Sequence, residues 1–429
     1  MDQLIIYVVR PGDSIYSIAR AYGMAPAQII KDNAPTNPDS LTAGQTLVLM
    51  TDVIPHTVAR GESLYSIARS YGVTTTQLLA ANPQVSRPEQ IKVGQIINVP
   101  VPSRIRGTIY VNGYAFTNID KDVLNKTLPY LTYISIFSYQ VRADGSLPTI
   151  YDKPLIDTAR SAGVAPMMVI TNIKEGGGFS SDIAHSILTD PEIQQTLIDN
   201  VIAKLQSQNY YGLDIDFEYI YPEDGVAYDN FVRNVVEQLK PLGYSISTAL
   251  APKLSANQRG LLYEAHHYPV HGALVDHVIL MTYEWGYTRG PAQAVSPIDQ
   301  VQKVLNYATS VIPSEKILMG MPNYGYDWTL PFRQGTEADS LSNTEAVDLA
   351  QSVGAAIQYN VSSQAPYFNY YDRNRARHEV WFDDARSIQA RLRLVDTYDL
   401  GGVSYWTINR FYPQNWLILS SMYNVEKVL

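Results

Sequence analysis

Tyr211-Gly212-Leu213-Asp214-Ile215-Asp216-Phe217-Glu218 sets three carboxylates at alternate positions between three large apolar residues. In a β-strand alternate side chains share a face, so Asp214, Asp216 and Glu218 point one way and Leu213, Ile215 and Phe217 the other. Taking a carboxylate out of water costs several kcal/mol unless it is protonated, paired or hydrogen-bonded. Same-face neighbours lie about 6–7 Å apart, close enough for each carboxyl to perturb the titration of the next. This strand is where chemistry is to be sought.

Further apolar, β-rich runs flank it at 109–116, 133–139, 165–171, 244–251, 275–283, 317–324 and 402–406. With 212–219 they make eight, most followed by amphipathic segments such as 193–206 and 228–239. Eight strands separated by crossovers predict a parallel sheet closed into a (β/α)8 barrel, an α/β fold. An open doubly wound sheet is the competing arrangement, but no Gly-x-Gly-x-x-Gly follows the first strand. About 75 residues separate the last two runs, too many for one loop and helix. A small α+β insertion is therefore expected at 336–384, with Tyr367–Tyr371 and Val380-Trp381-Phe382 as short strands.

Ahead of the barrel the chain repeats itself. Val9-Arg10-Pro11-Gly12-Asp13-Ser14-Ile15-Tyr16-Ser17-Ile18-Ala19 returns as Ala59-Arg60-Gly61-Glu62-Ser63-Leu64-Tyr65-Ser66-Ile67-Ala68, and the pairs Gly12/Gly61, Gly23/Gly72 and Asn33/Asn82 each stand 49 positions apart. Each copy reads strand, helix, helix, strand, with Ser14 and Ser63 as N-cap candidates. Gly44-Gln45 and Gly94-Gln95 lead into the closing strands. These copies, at 1–50 and 53–100, resemble LysM modules. The resemblance implies binding of glycans that contain N-acetylglucosamine, in a groove between the loop opening the first helix and the loop after the second. The implied contacts are Gly12, Asp13, Ser14, Ile15 and Asn33 in the first copy, and Gly61, Glu62, Ser63, Leu64, Asn82 and Pro83 in the second. Capping and turn formation are the alternative roles, since binding and capping draw on the same loops. Pro100-Val101-Pro102-Ser103 reads as a stiff connector to a third unit, 104–429.

A net charge of −9 argues against duplex nucleic acid or an anionic membrane surface as partner. No run approaches the length of a membrane span, and the first nine residues lack the basic start and cleavage site of a secretory signal. The chain has no cysteine, so neither disulfides nor thiol catalysis enter. Its 32 tyrosines offer flat apolar faces with a hydroxyl at the rim, suited to sugar rings as well as to core packing. Glu175-Gly176-Gly177-Gly178 lacks the Lys-Ser/Thr ending of a phosphate loop and reads as a rim loop passing close to ligand. His266, His267 and His271 lack metal-site spacing and read as a solvated helix end. The acidic run could offer oxygens to Mg²⁺ or Ca²⁺, but no second acidic cluster converges with it in the sequence.

Active residues of such barrels sit at the C-terminal strand ends. Glu218 is then nearest the mouth, with Asp216 and Asp214 progressively deeper. Mutual repulsion and burial should keep at least one of these carboxyls protonated near neutral pH, and a protonated carboxyl at the mouth is a general acid.

Asp214-x-Asp216-x-Glu218 resembles the Asp-x-x-Asp-x-Asp-x-Glu signature of family 18 glycoside hydrolases, with Tyr211 standing at the first acidic position. Met281-Thr282-Tyr283-Glu284 resembles the family's Met-x-Tyr-Asp, with Glu in place of Asp. Gly320–Gly325 and Gly401–Trp406 fall on the seventh and eighth strands. The resemblance implies retaining hydrolysis assisted by the substrate. Glu218 protonates the glycosidic oxygen, and the sugar's own 2-acetamido oxygen attacks C1. Asp216 steadies the acetamido N–H, Tyr283 holds its oxygen, and Trp406 floors the sugar. Met281, Glu284, Asn323 and Tyr324 are further candidate sugar contacts, and Asp214 either tunes Asp216 or hydrogen-bonds neighbouring strands. No cofactor and no metal are implied. Tandem LysM modules before such a barrel, with the Val380–Ala385 run, resemble the cortical-fragment lytic enzymes of spore-forming bacteria. The expectation is a monomeric N-acetylglucosaminidase acting on spore-cortex peptidoglycan during germination, located at the spore. A chitinase, or a silent glycan-binding lectin on the same barrel, is the alternative.

Overall fold

The computed structural model describes residues 4–85, 87–100 and 105–429, so the connector beyond Pro100 lies outside the described residues. Eight parallel strands close on themselves: β1 (Thr108–Phe116), β2 (Tyr133–Gln140), β3 (Ala165–Thr171), β4 (Gly212–Asp216), β5 (Ser245–Leu250), β6 (His277–Leu280), β7 (Ile317–Pro322) and β8 (Gly402–Trp406). They pair in chain order, and β8 returns to β1 through Gly402 opposite Tyr110 and Tyr405 opposite Gly113. The expected α/β barrel is therefore the architecture.

The alternation read in β4 divides its two environments as the strand rule requires. Leu213, Ile215 and Phe217 are fully buried between barrel and helices, about 1.5–3 kcal/mol of hydrophobic stabilisation for each. Phe217 stacks on Phe231 at 5.7 Å and on Tyr228 at 6.1 Å, both on the helix Gly225–Leu239. The helix that feeds β4, Pro191–Gln208, is bounded by local chemistry. The Asp190 side chain accepts from the Glu192 and Ile193 amides, Pro191 sits at the first turn, and Asn209 turns left-handed at φ 65°. On the inner face, Asn112, Ser135 and Ser404 join in a short hydrogen-bonded chain across β1, β2 and β8. Tyr114, Val169, Ala249, Ile279 and Leu318 fill the space above.

β4 is shorter than the expected 212–219. It ends at Asp216, and Tyr219 adopts φ 54°, so the chain bends just past Glu218. The insertion between β7 and β8 is α+β, but it opens at Gly325 and not near 336. A five-stranded antiparallel sheet runs in the order Asp339–Leu341, Gly325–Leu330, Arg377–Trp381, Ala365–Tyr371, Gln358–Asn360, with the helix Asn343–Ser352 beside it. Gly325 follows β7 almost at once, and it must be glycine because a Cβ there would lie 2.4 Å from the Trp381 carbonyl oxygen. With only Asn323-Tyr324 between the strands, the sequence carries no loop to mark the boundary.

The N-terminal repeats form two modules of like design. In each, two short helices pack on an antiparallel pair: Leu4–Val8 with Thr46–Met50, then Val53–Thr57 with Ile96–Pro100. The first module is seated on the barrel's outer layer. Val48 belongs to the main hydrophobic core, and Leu4, Ile6 and Met50 pack against it. Gln414, on the last helix Pro413–Met422, donates to Thr46 O at 2.7 Å and to Asn33 Oδ1 at 3.1 Å, and accepts from Thr46 Oγ1 at 2.9 Å.

Candidate active site

The three carboxyls of the acidic run are held in three different ways. Asp214 accepts two short hydrogen bonds, from Tyr114 Oη and Ser247 Oγ, each at 2.6 Å. Asp216 is 4% exposed, and its Oδ1 is buried with no hydrogen-bond partner among the described residues. Glu218 is fixed through its backbone: Asn172 Oδ1 accepts from its N–H at 2.9 Å, and Asn172 Nδ2 donates to its C=O at 2.7 Å. Asn172 follows the last residue of β3, so two strand ends are locked together at the mouth. His266 adds a third tie. Its Nδ1 accepts from the Ala251 amide, which leaves Nε2 to donate to Phe217 O at 3.0 Å.

These holdings set the order of titration. Burial raises Asp214 to about 6, with the bonds from Ser247 and Tyr114 pulling the other way. Asp216 has no such donor. Burial, then the charges of Glu218 and Asp214, drive it well above the ordinary carboxylate range. Burial also pushes Glu218 up to about 8, helped by the charge of Glu284. Near neutral pH the stack therefore retains protons, and its outermost member is an acid.

The stack opens into a cavity of about 560 Å³, whose wall includes Asp216, Glu218, Met281, Tyr283, Glu284 and Trp406. Tyr283 is buried to 8% exposure, and among the described residues no group takes its hydroxyl hydrogen. Asp214 lies beneath the wall and not on it. Glu284 stands at φ 66° and accepts from Tyr324 and from Tyr326 Oη, the latter at 2.9 Å. The two remaining candidates sit elsewhere. Asn323 and Tyr324 are absent from this wall and line a smaller crevice beyond Trp406. Asn323 donates to Thr407 O at 2.9 Å and Arg410 O at 2.6 Å, so its amide ties β7 to the loop after β8.

Several wall residues have no counterpart in the sequence reading. Tyr326 comes from the insertion, while Tyr219, Tyr263, Trp285 and Tyr287 come from loops after β4, β5 and β6. Only the count of tyrosines hinted at them. Asn172 carried no signal at all. The Glu175–Gly178 loop does reach the rim: Ile173 and Phe179 bridge across it, and both line the cavity. The histidine cluster is a correction. His266 and His271 are fully buried rather than solvated, and burial holds them at about 4 and about 3. They are neutral structural groups behind the strand ends. Among the described residues no group of three His, Asp or Glu side chains is placed to hold a metal. Tyr211 stands at the barrel's other end, 6.1 Å from the Tyr133 ring.

The profile of Glycosyl hydrolases family 18 matches residues 108–410, and that of the LysM domain matches 7–49 and 56–100. The chain belongs to family 18. A cortical fragment-lytic enzyme of Bacillus subtilis (strain 168) is 43% identical to this family 18 glycosidase over 98% of the chain and 99% of its own. That of Bacillus anthracis is 41% identical, with the same coverage. The crystal structure of the spore cortex-lytic enzyme SleL of Bacillus megaterium QM B1551 superposes with a TM-score of 0.92 at 37% identity over all of both chains.

In the modules of this family 18 glycosidase, several expected glycan contacts are occupied by the fold itself. Ile15 and Leu64 are core residues. Asn33 and Asn82 are buried, and each amide bridges the end of the second helix to the closing strand, at Val48 and Asn98 respectively. The side chains of all four fill structural roles. Ser14 and Ser63 cap the first helices in reciprocal bonds with Ser17 and Ser66. Asp13 accepts from Tyr7 Oη and the Arg10 amide, and Glu62 binds His56 and the Ala59 amide. Gly12 and Gly61, at φ near 87°, form exposed turns beside them, and Pro83 is exposed. Tyr16 and Tyr65, passed over in the sequence, are 67% and 68% exposed at matching positions next to these turns.

Proposed function

We propose that this glycosidase hydrolyses spore-cortex peptidoglycan, or fragments of it, at N-acetylglucosamine, acting at the spore as a monomer during germination. The observation that carries the chemistry is the unpartnered, buried Oδ1 of Asp216 beside a Glu218 carboxyl that keeps its proton. A retaining enzyme with its own nucleophile needs a second ionised carboxylate facing the anomeric carbon. Here Asp214 lies beneath the wall, held by Tyr114 and Ser247, and burial with the neighbouring charges drives Asp216 well above the ordinary carboxylate range, so the substrate's acetamide is the better nucleophile.

Glu218 gives its proton to the glycosidic oxygen as the C1–O bond breaks. The acetamido oxygen bonds to C1, Asp216 Oδ1 accepts from the acetamido N–H, and the Tyr283 hydroxyl donates to the acetamido oxygen. Glu218, now a carboxylate, takes a proton from water as the water oxygen displaces the acetamide from C1. Much of the rate comes from orientation, because the attack is intramolecular. The full-length likeness to cortical fragment-lytic enzymes supports the choice of substrate, and the exposed turns of the modules supply glycan contacts on an insoluble polymer.

The test incubates the protein with spore-cortex fragments, vegetative peptidoglycan and chitin oligomers and identifies new reducing ends by mass. Reducing N-acetylglucosamine from cortex is expected; reducing muramic acid would overturn the bond assignment, and turnover of chitin alone would make it a chitinase. Glu218→Gln should lower turnover by about 10³-fold. The wild-type rate should fall as pH rises through about 8, where Glu218 loses the proton it must donate.

A further inference from the structure

Among the described residues the wall of the catalytic cavity carries Asp216, Glu218 and Glu284 and no lysine, arginine or histidine. An anionic substituent on the substrate finds no counter-charge there and meets carboxyls instead. The counter-charge lies next door. Across Trp406 and Tyr326, which wall both spaces, is a second crevice of about 250 Å³ bordered by Phe116, Ser340, Asn409 and Arg410. Arg410 is half-buried. Its one hydrogen bond through the guanidinium goes to Ser340 Oγ at 3.1 Å, and it forms no ion pair among the described residues. Its main chain is pinned from behind, since the Arg410 carbonyl accepts from Asn323. Phe116 packs edge-on against Trp406 at 5.8 Å, and its amide donates to Asn409 Oδ1 at 2.9 Å. The crevice thus has an apolar wall continuous with the sugar floor and, at its far side, a guanidinium that feels the Glu345 charge but forms no ion pair among the described residues.

In a glycan alternating N-acetylglucosamine with muramic acid, both neighbours of the cleaved unit are muramyl. A strand that seats one N-acetylglucosamine on Trp406 and continues past Trp406 and Tyr326 into the crevice therefore places a muramyl unit there whichever way it runs. We propose that the crevice beyond Trp406 is a binding site for the muramyl unit next to the cleaved sugar, with Arg410 taking a carboxylate of its 3-O side arm. The inference rests on the peptidoglycan reading above and adds to it the group that selects among muramyl forms. A planar guanidinium with free donors suits a carboxylate, which it can hold through two parallel bonds. The carboxylate can belong to the lactyl arm itself or to an amino acid attached to it.

The experiment compares kcat/KM for three soluble N-acetylglucosamine–muramic acid oligomers of equal length. Their arms end in a free lactyl carboxylate, in lactyl-L-alanine, or in lactyl-L-alaninamide, which is neutral. The quantity read is the preference of each acid form over the amide. Arg410→Gln should reduce that preference about tenfold for at least one acid form, through KM, and Arg410→Lys should keep part of it. The form that responds names the source of the carboxylate. An unchanged preference in Arg410→Gln, with both proteins cleaving all three oligomers, overturns the site while leaving the peptidoglycan reading in place. Failure of the wild-type protein to cleave any of the three overturns the reading itself.

Discussion

The two modules are nearly the same sequence placed in different surroundings, and the difference shows what a local pattern leaves unsaid. Both cap their first helix with a serine pair, both turn at a glycine of φ +84° before the closing strand, and both bury an asparagine between helix and strand. In the first module that strand joins the barrel's own core. Ala43 O accepts from the Ile357 amide at 2.9 Å, Gly44 O from Arg386 at 3.2 Å, and Thr36 donates to Asp348 at 2.7 Å. Arg386 is itself gripped by Asp384 and lies 4.2 Å over the Tyr359 ring, so the Val380–Ala385 run serves as a joint. In the second module no hydrogen bond or ion pair reaches the barrel among the described residues. One copy has become part of the hydrolase's scaffold, and the other remains a module.

Deletion should separate them most sharply. Removing residues 1–50 uncovers the surface under Val48, Leu4, Ile6 and Met50 and orphans Gln414, so thermal unfolding should drop by about 10 °C. Removing 53–100 instead should shift the barrel's unfolding by no more than about 2 °C. Equal shifts would mean that both copies brace the barrel. The same contrast holds at single residues. A Cβ at Gly44 would lie 1.8 Å from the Ile357 carbonyl oxygen, whereas at Gly94 it meets nothing within 4 Å. Both positions carry the strain of a positive φ, about 1 kcal/mol. Gly44→Ala should therefore cost about 3 kcal/mol in denaturant unfolding and Gly94→Ala about 1. Comparable losses would show that the joint yields. Gln414→Ala, which leaves Thr46 and Asn33 short of partners, should cost about 1–3 kcal/mol, with no equivalent residue to mutate for the second module.

The same lesson runs through what the sequence made legible. Periodicity disclosed all eight barrel strands, because a strand buried on both faces is a continuous apolar run between turns, and β3 and β8 kept their expected ends. The acidic face of β4 stood out because carboxylates in such a run are costly. What stayed hidden were contacts made by residues ordinary in their own segment. Asn172 looks like any loop residue until it meets Glu218, and Tyr326 and Arg410 reach the site from the insertion and a loop whose courses no local pattern sets. Asn33 and Asn82 misled for the opposite reason. A polar residue in a loop suggests a ligand contact, but here it satisfies backbone groups that a small module would otherwise bury unpaired.

The smallest expected effect bears on binding to the wall. Tyr16 and Tyr65 sit at equivalent places, exposed to the same extent, beside the turn that opens each first helix. If ring stacking on sugar were all that mattered, they would contribute equally, about 1 kcal/mol apiece. Their grooves differ on the other side. The loop after the second helix of the first module faces the insertion's helix Asn343–Ser352, bonded through Thr36 to Asp348 and through Ser40 to Gln351. Its counterpart in the second module, from Asn82 to Val85, has no such neighbour among the described residues. If a glycan strand contacts both loops, as the LysM resemblance implies, Tyr65→Ala should weaken co-sedimentation with insoluble cortex about fivefold and Tyr16→Ala less than about twofold. Equal losses would mean that the barrel leaves the first groove open. A loss confined to Tyr16→Ala would mean that the docked module is the one holding the wall, with the insertion's helix forming part of its groove.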